Sequence, residues 1–271
     1  MPGMLADLER EWGISIGEAL EGGSEAFVAP AVRADGSPAV LKVLMPVDPA
    51  AAEHEIMALR LAGGHGMARL LESDVPRRAM LLERLGPPVS SLKLPREREL
   101  ELLADAAREV WRPVEGWQFP TGAEKGRWLI GYINEMWESL GRPCSARAVV
   151  FARECIERRV AAYDAARAVL VHGDIHANNA LVAGEGCRLI DPDGLLAEPE
   201  YDLGVIIRED PVDSADPMGL ARWMAKRTGT DARAIWEWAA GERLSTGLLC
   251  VHAGFQPFGD RLVAEAEKAS H

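Results

Sequence analysis

His172, Asp174, His176, Asn178, Asn179, Asp191 and Asp193 crowd one stretch of the chain, its densest set of potential bases and metal ligands. Phosphoryl transfer asks little covalent chemistry of a protein. It needs a carboxylate to orient and accept from the acceptor hydroxyl, and oxygen ligands for a divalent cation. Mg²⁺ is a hard ion that prefers carboxylate and amide oxygens to imidazole. Asp174, Asn179 and Asp191 supply that set, with Asp174 and Asn179 five residues apart on one loop. A second chemistry stays open: His172, Asp174 and His176 with Asp191 could hold Zn²⁺ in a metal-dependent hydrolase. Two histidines and no nearby cysteine suit zinc less well. A Ser-His-Asp hydrolase lacks its GxSxG elbow around Ser24 or Ser214.

These residues need elements to position them. AVLVHGD (168–174) is an apolar run ending in a polar turn, and ALV (180–182) and CRLIDPDG (187–194) flank Gly184-Glu185-Gly186, so a β-hairpin is expected. The first third of the chain reads as β. EAFVAPAVR (25–33) and PAVLKVL (38–44) enclose an Asp-Gly turn. A helix follows, with Asp48 as cap, Pro49 in its first turn and Gly63-Gly64 at its end. RLLESDVPRRAMLLERL predicts two more strands. Gly86-Pro87-Pro88 breaks helix and strand alike, and the domain boundary is set there, giving lobes 1–86 and 87–271. Beyond it helical periodicity dominates. Leu100, Leu103, Ala107 and Val110 share a face, as do Leu129, Ile133, Met136 and Leu140. Further helices are expected from Ser145 to about Arg167, over 214–228 and over 231–250. The expected class is α+β: a small antiparallel lobe with one helix, and a larger, mainly helical lobe.

Composition narrows the function classes. Of 271 residues 48% are hydrophobic and 27% charged, an ordinary folded mixture. A formal net charge of −12 disfavours nucleic acid, whose phosphates bind lysine and arginine, and suits a cationic small molecule. Cys144, Cys155, Cys187 and Cys250 form no CxxC pair, so reduced structural thiols are expected. No apolar run reaches the length of a membrane span, and the acidic N-terminus has no signal pattern; the expectation is a cytoplasmic protein. Oligomeric state is not legible.

VHGDIHANNAL resembles the catalytic loop of the aminoglycoside phosphotransferases, HGD-L-H-x-x-N, with its last position on Asn179. LIDPDG is similar to the family's metal-binding segment, and EPEYDL to its YDL stretch. The resemblance implies a protein-kinase-like two-lobe fold, binding of ATP and Mg²⁺ between the lobes, and a small hydroxylated acceptor. It makes Asp174 the catalytic carboxylate, Asn179 and Asp191 the metal ligands, and His172 and Asp202 supports of the catalytic loop. AVLKV resembles the strand whose lysine, Lys42, meets the α- and β-phosphates. The helical partner of that lysine is Glu55, with Leu59 four residues on; Glu53 is the alternative. MLLERLGPP is similar to the inter-lobe strand and hinge, where backbone groups of Glu83 and Leu85 would meet adenine. Gly22, Gly23 and Ser24, in EGGSEAFV, stand where the phosphate-covering loop belongs, although GxGxxG is absent. Within the family, the chain looks most like the streptomycin 6-phosphotransferase and hydroxyurea phosphotransferase branch. Streptomycin is the first expected acceptor, hydroxyurea or another small metabolite the second. A non-catalytic nucleotide-binding module is a further alternative, against which the intact Lys42, Asp174, Asn179 and Asp191 set argues.

Overall fold

The computed structural model describes residues 2–20, 26–46, 49–116 and 119–271. In chain order the elements are α1 (Pro2–Trp12), β1 (Ile14–Ile16), β2 (Ala26–Arg33), β3 (Pro38–Leu44), α2 (Pro49–Ala62), β4 (Leu70–Asp74) and β5 (Ala79–Glu83). A 3-10 turn (Val89–Leu92) leads to α3 (Arg96–Val110), α4 (Gly122–Ser139) and α5 (Ala146–Ala161). Then come β6 (Val169–Val171), β7 (Ala180–Ala183), β8 (Gly186–Leu189), β9 (Leu195–Ala197), α6 (Glu200–Ile207), α7 (Gly219–Thr228), α8 (Ala232–His252) and α9 (Phe258–Ala269).

Two compact units emerge: Met1–Leu102 with Ala177–Gly194, and Leu103–His176 with Leu195–His271. This partition by packing differs from the expected lobes 1–86 and 87–271 in where it assigns the β7–β8 hairpin and residues 87–102. The reason lies at Gly86, whose N–H donates to the Val182 carbonyl at 2.9 Å, while Val182 N–H returns to the Pro87 carbonyl at 3.0 Å. A Cβ on Gly86 would stand 3.0 Å from both Val182 Cβ and its carbonyl oxygen. Gly-Pro-Pro is therefore the strip on which the hairpin docks, as well as a break in regular structure.

In the first unit the strands form one antiparallel sheet in the order β1-β2-β3-β5-β4. Side chains alternate across a strand. Ala39, Leu41 and Val43 of β3 thus pack with Leu8 of α1 and Leu81 of β5, while Lys42 points to the opposite face. Helix α1 adds to the single helix expected here; its buried Leu8 closes the sheet face that β3 would otherwise leave bare. Asp48, the expected cap of α2, and the Gly22-Gly23-Ser24 loop lie outside the described residues.

In the second unit α8 is the central helix, with fourteen buried residues. Its Trp238 meets Tyr201 of α6 edge-on, with ring centroids 4.8 Å apart. Around them pack Leu129 and Ile133 of α4 and Ile156 of α5. Helix α5 ends at Ala161, short of the expected Arg167, and Asp164 caps the following turn by accepting from Ala166 N–H at 2.9 Å. Sequence periodicity assigns no helix to α6. Every residue from Glu200 to Ile207 is buried, so the segment carries no polar stripe. Helix α9 and strand β9, which pairs with β6, are also additions. All four cysteines are free. Among the described residues no helix is long and apolar enough to cross a membrane.

Candidate active site

The first unit holds a lysine between two carboxylates. Lys42 Nζ lies 2.6 Å from Glu55 Oε1 and 2.9 Å from Asp191 Oδ1. Lys42 and Glu55 are both buried. Burial works against the Lys42 ammonium, but Glu55 and Asp191 outweigh it and its pKa moves up. Burial raises the Glu55 pKa to about 7, opposed by Lys42 and reinforced by the charges of Asp191 and Asp193. The two shifts pull differently on one ion pair. The direction that stands for the cluster is an excess of negative charge over a single ammonium, so both the lysine proton and an added cation are favoured. Glu53 is exposed, which removes the alternative partner for Lys42. Leu59 is fully buried, as its spacing from Glu55 on one helical face requires.

Asp191 takes the left-handed backbone region, with φ +62°. Non-glycine residues rarely occupy it, and such strain collects at functional sites. Its neighbour Ile190 donates its N–H to the Asn179 carbonyl at 2.8 Å, next to the Ala180–Leu189 pair of the hairpin. The ladder thus brings the segments of Asn179 and Asp191 side by side at the open end of β7–β8. One amide oxygen and one half-exposed carboxylate form a hard donor set that suits Mg²⁺. The zinc alternative finds no support: among the described residues no group of three or more His, Cys, Asp or Glu could hold a metal.

The second unit builds the Asp174 loop, which follows β6. Asp202, fully buried near the start of α6, accepts from His172 N–H at 3.1 Å, Gly173 N–H at 2.9 Å and Trp111 Nε1–H at 3.0 Å. Burial pushes the Asp202 carboxyl up, and His172, the loop amides and Trp111 hold it back. His172 is also fully buried, and its Nδ1 accepts from Asp174 N–H at 3.2 Å. Asp174 projects from this frame. Its Oδ1 accepts from Arg208 Nη2 at 2.8 Å, and its Oδ2 faces His176 Nε2 at 3.4 Å. Burial alone would raise its pKa, but His176 and Arg208 outweigh it and hold Asp174 far below the usual carboxylate range.

Glu83 and Leu85 lie at the end of β5 and just beyond it. Glu83 N–H is already donated to the Arg69 carbonyl at 3.0 Å, and its carboxylate receives Arg69 N–H at 2.7 Å and the Arg188 guanidinium. That amide donor is thus engaged within the protein, and Leu85 is half-buried in the segment without regular structure. Sequence reasoning missed Trp111 and Arg208 as parts of the site. Nothing marks Trp111 beyond its residue type; Arg208 follows YDLGVII, but with α6 unassigned its direction could not be read. Of the other tryptophans, Trp236 and Trp238 are buried and Trp128 is 55% exposed, stacked on Tyr132.

A model of the family described as "Aminoglycoside/hydroxyurea antibiotic resistance kinase" matches residues 12–240. The chain belongs to this family. A hydroxyurea phosphotransferase of Kitasatospora aureofaciens is 33% identical over 209 residues, 75% of this chain. The match spans only 59% of that relative's length. A streptomycin 6-kinase of Streptomyces glaucescens is 28% identical over 273 residues, 94% of this chain and 84% of the relative. Among solved structures, a choline kinase from Cryptosporidium parvum Iowa II superposes with a TM-score of 0.68 at 10% identity, over 99% of this chain and 95% of the other. At that identity the likeness concerns the fold alone. It agrees with the expected α+β, kinase-like class. Packing divides the HGDIHANN motif between the two units. Asp174 and His176 pack with the second unit, whereas Asn179 packs with the first.

Proposed function

We propose that this chain transfers the γ-phosphoryl group of ATP to a hydroxyl of a small molecule, with streptomycin as first acceptor. The observation that carries the reading is the Lys42–Glu55–Asp191 cluster, a buried ammonium between a fixed carboxylate and a half-exposed one. A phosphate chain needs such a cation, held by a residue that does not itself bind the ligand. Lys42 would contact the α- and β-phosphates, with Glu55 holding its head group. Asn179 and Asp191 would hold Mg²⁺, which neutralises charge on the phosphates when bound. Gly22, Gly23 and Ser24 remain proposed phosphate contacts, and Glu83 and Leu85 proposed adenine contacts.

Asp174 would accept a hydrogen bond from the acceptor hydroxyl and take its proton during or after transfer. Its depressed pKa suits a carboxylate that stays ionised and orients the nucleophile. An early proton abstraction by a strong base is not needed in a loose transition state. Asp174 and Asn179 are five residues apart in the chain, within one motif.

Streptomycin ranks first because the match to its kinase extends over more of both chains. Hydroxyurea is the second reading, favoured by the higher identity of its phosphotransferase. The cytoplasm is the proposed compartment, where ATP is present. The test is ATP consumption and ³¹P detection of product with each compound, for the parent and Asp174→Asn. The expected result is product with streptomycin, its loss in the variant by at least about a thousandfold, and retained MgATP binding. Undiminished turnover by Asp174→Asn sinks the catalytic assignment. Product with hydroxyurea alone changes the acceptor and leaves the transfer chemistry standing.

A further inference from the structure

Arg208 stands out among the buried charges of the second unit because its best partner is the proposed catalytic carboxylate. It caps the C-terminal end of α6 and is 7% exposed. Its Nη2 donates to Asp174 Oδ1 at 2.8 Å, and its Nε has no hydrogen-bond partner among the described residues. Glu209 Oε1 lies 4.0 Å away, and the buried Glu242 of α8 adds a second negative charge. An arginine buried there for packing alone would leave most of its donors unmade, and each buried donor without a partner is costly. The bond to Asp174 is the return on that burial.

The placement on α6 adds a second argument. Asp202, in the first turn, grips the backbone of the loop through the N–H groups of His172 and Gly173. Arg208, at the other end, grips the side chain that projects from that loop. Six residues of helix separate the two by about 9 Å. An anion at a helix N-terminus and a cation at its C-terminus are both favoured by the helix dipole. The helix packs tightly on α8. A Cβ on Gly204 would stand 2.6 Å from Trp238 Cβ and 2.9 Å from the Ala239 nitrogen, so α6 lies directly against the α8 backbone.

We infer that Arg208 is a positioning residue for Asp174: it holds Oδ1 so that Oδ2 is presented to the acceptor hydroxyl. The contact of Oδ2 with His176 is longer, at 3.4 Å, and comes from a partly exposed side chain that an acceptor can displace. The titratable groups facing Asp174 include His176 from its own loop and Arg208 from α6; those facing Arg208 include Asp174, Glu209, and Glu242 and Cys250 of α8.

This inference rests on the reading of Asp174 as the reacting carboxylate, but its test does not need the acceptor to be known. Aspartate labelled with ¹³C at the carboxyl carbon is followed by NMR through an acid titration of the full chain, with Asp174→Asn assigning the signal. In the parent, the Asp174 signal should stay at its ionised position as pH falls through 4. In Arg208→Met, with His176 still in place, it should begin to titrate at a clearly higher pH than in the parent. Arg208→Lys keeps a charge but loses the planar fork, and should fall between them. It also serves should the methionine variant not fold. With an acceptor that the parent turns over, kcat should fall about a hundredfold in Arg208→Met, recover in part in Arg208→Lys, and leave the KM for MgATP unchanged. An Asp174 signal that titrates alike in all three proteins overturns the inference. A parent that phosphorylates neither streptomycin nor hydroxyurea overturns only the acceptor reading, since the titration still decides the role of Arg208.

Discussion

Lys42 and Asp174 are held by opposite strategies. At Lys42 the functional group is buried, and its partner Glu55 is a buried charge from a neighbouring helix. At Asp174 the functional carboxylate is partly exposed, and burial falls on its supports: His172 and Asp202 are fully sequestered and Arg208 nearly so. The first arrangement fixes one head group by ion pairing. The second fixes a backbone and then a side chain, through hydrogen bonds that radiate from one helix. In the proposed roles, a lysine that meets a multiply charged phosphate chain would gain from a dry setting, where its field is strong. A carboxylate proposed to meet a neutral hydroxyl would have to be reached.

Breaking the first arrangement gives the largest expected effect. Lys42→Met should lower kcat/KM by about a thousandfold, equivalent to about 4 kcal/mol, while leaving the chain folded. Burial already pushes the Glu55 pKa to about 7, so without Lys42 this carboxyl takes a proton instead of remaining a lone buried charge. Steady-state kinetics with circular dichroism would check both halves; a variant that unfolds contradicts the second. The support of the second arrangement should fail differently. Asp202→Ala strands the N–H groups of His172, Gly173 and Trp111. Stability should fall by about 3 kcal/mol, seen as a lower urea midpoint at unchanged slope.

Gly204→Ala sharpens the role of α6 without touching a polar group. Its methyl has no room against Trp238 and Ala239. Overpacking of this kind costs about 2 kcal/mol, and the displaced helix should lower kcat as well. A variant with parental stability and turnover would mean that α6 can slide freely.

Asp174 offers a gentler comparison, through pH. Its folded pKa lies below its unfolded value, so its contribution to stability is present above about pH 4 and is lost as pH falls towards the folded pKa. The parent should therefore exceed Asp174→Asn in stability by a margin that is constant above about pH 5 and shrinks below about pH 4. The side chain is 36% exposed, and solvent screening keeps the margin under about 1 kcal/mol. Urea unfolding of both proteins at several pH values measures it; a margin that grows on acidification has the wrong sign. The smallest effect belongs to Glu53→Gln. Exposed on the face of α2 opposite Glu55, it should change stability by less than about 0.5 kcal/mol and leave turnover alone.

Much of the positioning framework was legible in the chain because it depends on local rules. The Asp-Gly turn, the alternation along β3, the β7–β8 hairpin and the long amphipathic stripes each follow from a few neighbouring residues. The elements that escaped notice depend on distant packing. Helix α6 has no polar face to reveal it, since its whole circumference is buried among other helices. Strand β9 is three residues long and exists through pairing with β6. The choice of Glu55 over Glu53 followed from the spacing to Leu59, and the burial of Glu55 beside Lys42 agrees with it.

By itself the sequence determined which residue types are present for phosphoryl transfer, their order along the chain, and the two-state alternation that sends Lys42 away from Leu41 and Val43. It also carried the motif by which the family is recognised. Only the tertiary structure decided that Glu55 and Asp191 share one lysine, that Asp191 takes a left-handed backbone, and that Arg208 reaches Asp174. The physical reason is range. Turns and side-chain alternation are fixed by steric rules over a few bonds, whereas an ion pair between residues far apart in the chain forms only when packing elsewhere has ordered both ends.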